Sequence, residues 1–376
     1  LGSGPTHPVS DKEQQMTTRR GFLAGLLATG LAPSPSWADL GGPAFLAAAK
    51  TPQGGYLLAG LSDQGAIRFT CPLPGRGHAA AAHPQRPEAV AFARRPGRFA
   101  DVIDCRTGAR LARLEPPKGH HFYGHGVFSP DGSRLYTTEN DFENGRGVIG
   151  VWKVAQGYQR SASFSSGGIG PHDMLLRHHE AGQHIVVANG GIETHPDSGR
   201  AKLNLPQMRP NLSLLSLDGD VQDVMELAPD LRLNSIRHLA LSADGGVGFA
   251  MQWQGDLGAD LPIVGLYHPD TPPRLMGEDD PRLRHLQAYG GSVAFTPDGR
   301  KIAVSSPRGG LVQVMQVESA EIIQEIPLAD VCGLATTASG LMASTGLGQV
   351  LTLDGPTVTH QQSHDLAWDN HLIRLG

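Results

Sequence analysis

Seventeen histidines among 376 residues is roughly double the average usage, and five of them recur at one place in a repeated pattern. His78, His125, His172 and His238 each stand beside a run of small or alternating apolar residues, and His371 precedes Leu372-Ile373-Arg374-Leu375. A neutral imidazole offers one lone pair and titrates near neutral pH, so five aimed at a common point are candidate ligands for copper, iron or zinc. Two further copies of the pattern carry Ser292 and Cys332 at that place. A Cys332 thiolate tilts the set toward copper or zinc, and a lopsided ring suits a metal that keeps an open coordination position. Two other readings of the same residues stay open: a polar funnel that binds substrate or moves protons, and a structural ring that only bonds backbone and water.

A second group of polar residues is placed where it could join such a funnel. Glu139, Asn140 and Asp141 follow a strand-like run after His125, with His121 just before it. Glu193 and His195 lie two apart after the next one, so they would share a face on a strand but not on a loop, and Gly190-Gly191 favours the loop. Arg237 and Arg308 can bind carboxylate or phosphate, or form structural ion pairs. His120-His121 and His178-His179 read as solvent-facing loop pairs.

The elements that must position these residues come from the repeat. Ser129-Pro130-Asp131-Gly132, Thr296-Pro297-Asp298-Gly299 and Ser242-Ala243-Asp244-Gly245 each join two apolar runs. They are hairpin turns, with Gly supplying positive φ and Pro, where present, presetting φ. Positions 78, 125, 172, 238, 292 and 332 are spaced 47, 47, 66, 54 and 40 residues apart. A period near 40–50 with several strands per unit predicts an all-β chain folded as a seven-bladed β-propeller, six or eight blades being the alternatives. The extra length after His172 is a polar insertion between Asn189 and Leu212. The run 370–375 reads as a last innermost strand whose outer partners, Ala44–Ala48, Tyr56–Ala59 and Ile67–Thr70, lie at the other end of the chain. Pairing them closes the ring and removes an exposed sheet edge. Each recurring residue is expected to start the innermost strand of its blade, at one mouth of the channel.

Composition agrees with this architecture. Gly and Pro make up 77 of 376 residues, and only 18% of residues are charged, which favours short strands and turns over long helices or disorder. A net charge of −5 lacks the basic excess of a general nucleic-acid binder. Three cysteines, Cys71, Cys105 and Cys332, give no disulfide framework, and there is no C-x-x-C.

The N-terminal region carries an export pattern. Thr18-Arg19-Arg20-Gly21-Phe22-Leu23 fits a twin-arginine signal, the apolar run Phe22–Leu31 is too short to span a bilayer, and small residues precede Ala38 for cleavage. Residues 1–38 are thus an extension plus signal peptide and 39–376 a single propeller domain, placed in the periplasm with no later membrane span.

The strings Gly75-Arg76-Gly77-His78, His121-Phe122-Tyr123-Gly124-His125, Gly168-Ile169-Gly170-Pro171-His172-Asp173-Met174, Ala188-Asn189-Gly190-Gly191-Ile192-Glu193-Thr194-His195-Pro196, Ser305-Ser306-Pro307-Arg308-Gly309-Gly310 and Trp368-Asp369-Asn370-His371 resemble the twin-arginine-exported bacterial family catalogued as domain of unknown function 1513. The resemblance runs from about Gly42 to the end. It supplies no catalytic residues; what it implies is a link to periplasmic iron acquisition, with iron-uptake proteins as partners. The expectation is therefore a periplasmic iron- or copper-binding propeller with His78, His125, His172, His238, His371 and Cys332 as metal ligands. His121, Glu139, Glu193, His195, Arg237 and Arg308 stand around them. A metal-dependent oxidoreductase and a protein-interaction scaffold are the alternatives.

Overall fold

The computed structural model describes residues 1, 2, 4 and 35–375, save 95, 96, 180, 181, 200, 258, 259, 270 and 356. The twin-arginine segment lies outside the described residues. Ser36 onward forms one compact unit, and its strands fall into seven antiparallel sheets arranged as the blades of a β-propeller.

Blade 1 comprises Gly77–Ala82, Glu88–Ala93, Ala100–Asp104 and Ala109–Arg113; blade 2, His120–Phe128, Arg134–Asp141, Arg146–Lys153 and Gln159–Ser165. Blade 3 comprises Pro171–His179, Gly182–Asn189, Asn211–Ser216 and Val221–Glu226; blade 4, Asn234–Leu241, Val247–Trp253, Val264–Tyr267 and Arg274–Leu275. Blade 5 comprises Ser292–Phe295, Lys301–Ser306, Leu311–Gln316 and Ile322–Pro327; blade 6, Val331–Thr336, Leu341–Thr345, Gln349–Asp354 and Thr357–Ser363. Blade 7 is the composite one: Phe45–Lys50, Tyr56–Leu61 and Ile67–Leu73 pair with the C-terminal pieces Ala367–Trp368 and Ile373–Arg374.

The hairpin turns form as their residues dictate. Ser129 Oγ donates to Asp131 Oδ1 at 2.6 Å, Thr296 Oγ1 to Asp298 at 2.7 Å, and Gly132 and Gly299 take φ of 70° and 68°. The core is a ring of layers between adjacent blades rather than one central mass. Phe92, Leu135 and Trp152 pack between blades 1 and 2, Phe249, Phe295 and Ile302 between blades 4 and 5, and Leu46, Leu58, Ala89 and Ile103 across the seam between blades 7 and 1. Outermost strands are largely exposed.

Three expectations need correction. The recurring residues do not all start their strands: Ser292 does, and His78, His172 and Cys332 stand second, but the inner strand of blade 2 begins five residues before His125, and that of blade 4 four residues before His238. The final inner strand is not continuous, being broken between Trp368 and Ile373, so that His371 sits in the break. The pairs His120-His121 and His178-His179 lie on strands, not loops.

Candidate metal centre

Six of the seven recurring positions coincide with an irregularity in the ladder. Pairing of the two inner strands slips between Gly77 and Ala80 in blade 1, between Phe122 and Gly126 in blade 2, and between Pro171 and Asp173 in blade 3. It slips again between Ile236 and His238 in blade 4 and between Val331 and Leu334 in blade 6. A β-bulge bends the strand and re-aims a side chain, and here five bulges and one strand break turn residues toward the axis. Blade 5, which carries Ser292, pairs without a slip.

Five imidazoles meet as a result. Ring centroids lie 5.0 Å apart for His78–His125, 5.4 Å for His125–His172, 5.1 Å for His172–His238 and 5.1 Å for His238–His371. His371 is 4.6 Å from both His78 and His125. Nitrogens of His78, His125 and His172 all lie within 4.8 Å of one another, close enough to share one ion. Gly124 makes room for this: its φ is 108°, and a Cβ there would stand 2.5 Å from His78 Cδ2.

Burial disfavours the charged form of His78, His172, His238 and His371. His78, His125, His238 and His371 are 3–7% exposed, and His172 is half-buried. Desolvation pushes His78 down to about 4 and His238 down to about 3, and holds His172 and His371 well below the ordinary value. Neutral imidazole is the ligating form. His125 Nε2, His238 Nδ1 and His371 Nε2 are buried with no hydrogen-bond partner among the described residues. An unpartnered buried nitrogen is costly, and a bound cation would relieve that cost.

One carboxylate orients a ring and a second lies near another. Asp173 Oδ1 lies 2.9 Å from His125 Nδ1, which makes that nitrogen the donor and, in the neutral ring, leaves Nε2 as the lone pair. Asp369 Oδ1 lies 4.0 Å from His78 Nδ1, while its oxygens also accept from Arg76 at 2.6 Å and Arg94 at 2.8 Å. Burial opposes the charge on both carboxylates, but His125 beside Asp173, and His78 and Arg94 beside Asp369, hold them below the ordinary range. Arg237 Nη1 is 3.3 Å from His172 Nδ1. A guanidinium only donates, so this bond makes Nδ1 the acceptor and leaves the proton of His172 on Nε2. His172 would have to exchange Arg237 for an ion before ligating through Nδ1.

The remaining predicted residues are placed differently. Cys332 lies beside this centre, against Asp330, with its thiol donating to the Asp330 carbonyl at 3.2 Å, and burial raises it to about 12, away from a thiolate. Ser292 Oγ accepts from the backbone of Leu334 at 3.1 Å and ties blade 5 to blade 6. Glu139 lies within its strand, fully buried, contacting Arg160, His120 at 3.3 Å and Thr137 at 3.0 Å. His121 bonds Asn140 at 3.1 Å and the Phe122 carbonyl at 2.9 Å. Glu193 and His195 are in the insertion loop, His195 accepting from the Asp197 backbone at 3.2 Å. Arg308 lies 4.5 Å over the Tyr289 ring. Sequence reasoning missed Asp173, Asp369, Arg94 and Lys202. The first two were within reach as neighbours in the strings His172-Asp173 and Asp369-Asn370-His371; the cations carry no local signal.

The cluster separates two mouths of the channel. One is a cavity of about 300 Å³ lined by His78, His172 and His238 together with Arg94, Lys202 and Arg237. The other, about 770 Å³, holds His125, Asp173, His238 and His371 within a wall rich in small and apolar residues such as Ala80, Val127, Ala240 and Val293.

Comparison with known proteins agrees on the fold. The hydrazine synthase of Kuenenia stuttgartiensis is similar over 89% of this chain and 98% of its own, with a TM-score of 0.58 and 12% identity; at that identity the likeness is one of fold alone. Among curated proteins no sequence matches. The expected cleavage point after Ala38 falls in a short 3₁₀ helix, Trp37–Leu40, whose Trp37 donates to the His83 carbonyl at 2.9 Å. No helix among the described residues is long and apolar enough to cross a membrane. Residues 71–375 match the family described as "Protein of unknown function (DUF1513)", and the chain belongs to it.

Proposed function

We propose that this protein binds one transition-metal ion, iron or copper, at the histidine cluster, and serves as a periplasmic accessory in iron acquisition, exported by the twin-arginine route. The observation that carries the metal reading is the set of buried imidazole nitrogens without partners, His125 Nε2, His238 Nδ1 and His371 Nε2, beside the three histidines that can share an ion. Neutral imidazole suits iron and copper, and the Asp173–His125 pair supplies the carboxylate that raises ligand basicity. Cys332 is not among the three residues whose ligand atoms lie within 4.8 Å of one another, its thiol donating instead to the Asp330 carbonyl, which weighs against a thiolate-rich copper site. The iron-uptake partners rest on the family association alone.

The test is metal content by mass spectrometry of tag-free protein recovered from the periplasm, beside His78→Ala/His125→Ala and the milder His125→Gln. About one ion per chain, lost in the double variant while the thermal transition persists, supports the reading and names the metal. Metal-free protein after incubation with iron and copper, with variants altered in stability only, would instead favour an interaction scaffold with a structural ring.

A further inference from the structure

The mouth on the His78–His172 side is cationic although the chain as a whole carries a net charge of −5. Among the described residues no carboxylate lines the 300 Å³ cavity there, while Arg94, Lys202 and Arg237 do. It shares Arg94, Tyr289 and Asn370 with a neighbouring cavity of about 450 Å³ that adds Arg76 and Arg308 and the carboxylates Asp330 and Asp369. Asp369 accounts for Arg76 and Arg94. Lys202 and Arg308 have no carboxylate within ion-pair distance among the described residues, and Arg237 is turned to the His172 ring. Lys202, Arg237 and Arg308 stand close enough to repel one another, and an anion bound among them relieves that repulsion.

The insertion in blade 3 explains how Lys202 comes to be there. Residues 190–210 leave the sheet after Asn189 and return at Asn211. The loop is cross-tied: Asn204 Oδ1 accepts from the Glu193 backbone at 2.7 Å, Asn204 Nδ2 donates to the Gly191 carbonyl at 2.9 Å, and Leu203 N donates to the Glu193 carbonyl at 3.0 Å. That lacing fixes Lys202 at the rim. Lys202 is close enough to Arg237 and Arg308 that, after burial, their charges disfavour its own.

We infer that this mouth is a binding site for a small polycarboxylate anion, held by Lys202, Arg237 and Arg308 directly above the histidine cluster. Cations on separate walls suit an anion whose charges are divided among several carboxylates, and guanidinium forks grip carboxylates in two-point fashion. A volume near 300 Å³ sits at the lower end of small-molecule sites. The inference does not require a metal at the cluster; with one, an anion seated here would meet it from the His78 and His172 side.

The experiment is calorimetric titration of citrate into metal-free full-length protein at low and moderate salt, with Lys202→Gln, Arg308→Gln and their combination. Lys202 is exposed on the insertion, so its replacement leaves the core intact; thermal melting confirms this for each variant. The expected result is saturable binding that weakens with salt, falls about tenfold in each single variant and is lost in the combined one, with metal content in separate assays unchanged by Lys202→Gln. Absence of citrate binding, or binding indifferent to the combined variant, would overturn the site. Inorganic phosphate competing as well as citrate would overturn the polycarboxylate assignment. A metal-free native protein that still binds citrate would sink the metal reading and leave this one standing.

Discussion

Asp173 couples two blades through one carboxylate: Oδ1 faces His125 Nδ1 of blade 2 at 2.9 Å, and Oδ2 accepts the backbone N–H of Leu239 in blade 4 at 3.0 Å. The residue belongs to blade 3, so a single buried charge spans three consecutive blades and sets the direction of a central imidazole.

Replacing that carboxylate separates its two duties. Asp173→Asn is expected to lower metal affinity about 10–100-fold, because the orienting charge on His125 is lost. The same change costs the metal-free protein about 1–3 kcal/mol through imperfect pairing of buried groups. Competition with a chelator reads the first and urea unfolding the second; unchanged chelator competition would remove Asp173 from the site.

Acid should destabilise the metal-free protein before its carboxylates matter. His78 is held to about 4 and His238 to about 3, chiefly by burial, while an unfolded chain titrates them near 6.5. Between those values the unfolded state binds more protons, so stability is complete above about 6.5 and declines as pH falls toward 4. The loss from His78 alone is at most about 3 kcal/mol. Asp173 and Asp369, held below the ordinary carboxylate value, begin to contribute only below about 4. Urea midpoints at pH 7, 5.5 and 4.5 test this, and a flat profile would show that the rings are solvated.

Asp369 is the counter-charge for Arg76 and Arg94 and lies beside His78. Asp369→Asn leaves two guanidinium groups facing a neutral amide. Breaking a fully buried pair costs about 3–5 kcal/mol. Arg76 is 52% exposed and Arg94 29% exposed, so screening reduces the expected cost to about 1–3 kcal/mol. Chemical denaturation measures it, and a loss under about 0.5 kcal/mol would mean that solvent already carries the two arginines.

Gly124→Ala tests the bulge of blade 2. The new Cβ needs a φ near 108° and meets His78 at 2.5 Å, so His78 must move. A loss of stability of about 1–3 kcal/mol is expected from strain and the clash, accompanied by reduced metal content. Wild-type metal content in a folded Gly124→Ala protein would argue against His78 as a ligand.

The fold was readable because its signals are local. A tetrad such as Ser129-Pro130-Asp131-Gly132 sets its own turn, and its recurrence counts the blades. The composite seventh blade followed from Ile373 lacking outer strands while Phe45 lacked an inner one. The convergence of His78, His125, His172, His238 and His371 was readable from their shared place in the repeat. What aims them was not: a bulge such as Gly77/Ala80 is a property of two paired strands. The idea that these residues open their strands failed in blades 2 and 4 for the same reason, since His125 and His238 lie deep in long strands. Cys332 shares the repeat position but not the centre, because there the thiol turns to Asp330. The cationic mouth gathers Arg94, Lys202, Arg237 and Arg308 from blades far apart in sequence, and no spacing announces it.

The two ends of the propeller chain are knit together inside blade 7, where Phe45–Lys50 pairs with Ala367–Trp368 and Ile373–Arg374, and His371 sits between those two C-terminal pieces, 4.6 Å from His78 of blade 1. An ion gripping both would act as a rivet across the place where the ring can most easily be unzipped. Pulling the C-terminal pieces away would then dismantle the centre before it disturbed any other sheet. Occupancy of the cluster therefore doubles as a report that the ring has shut, and mechanical or proteolytic attack on this closure should be slowest when the rivet is in place.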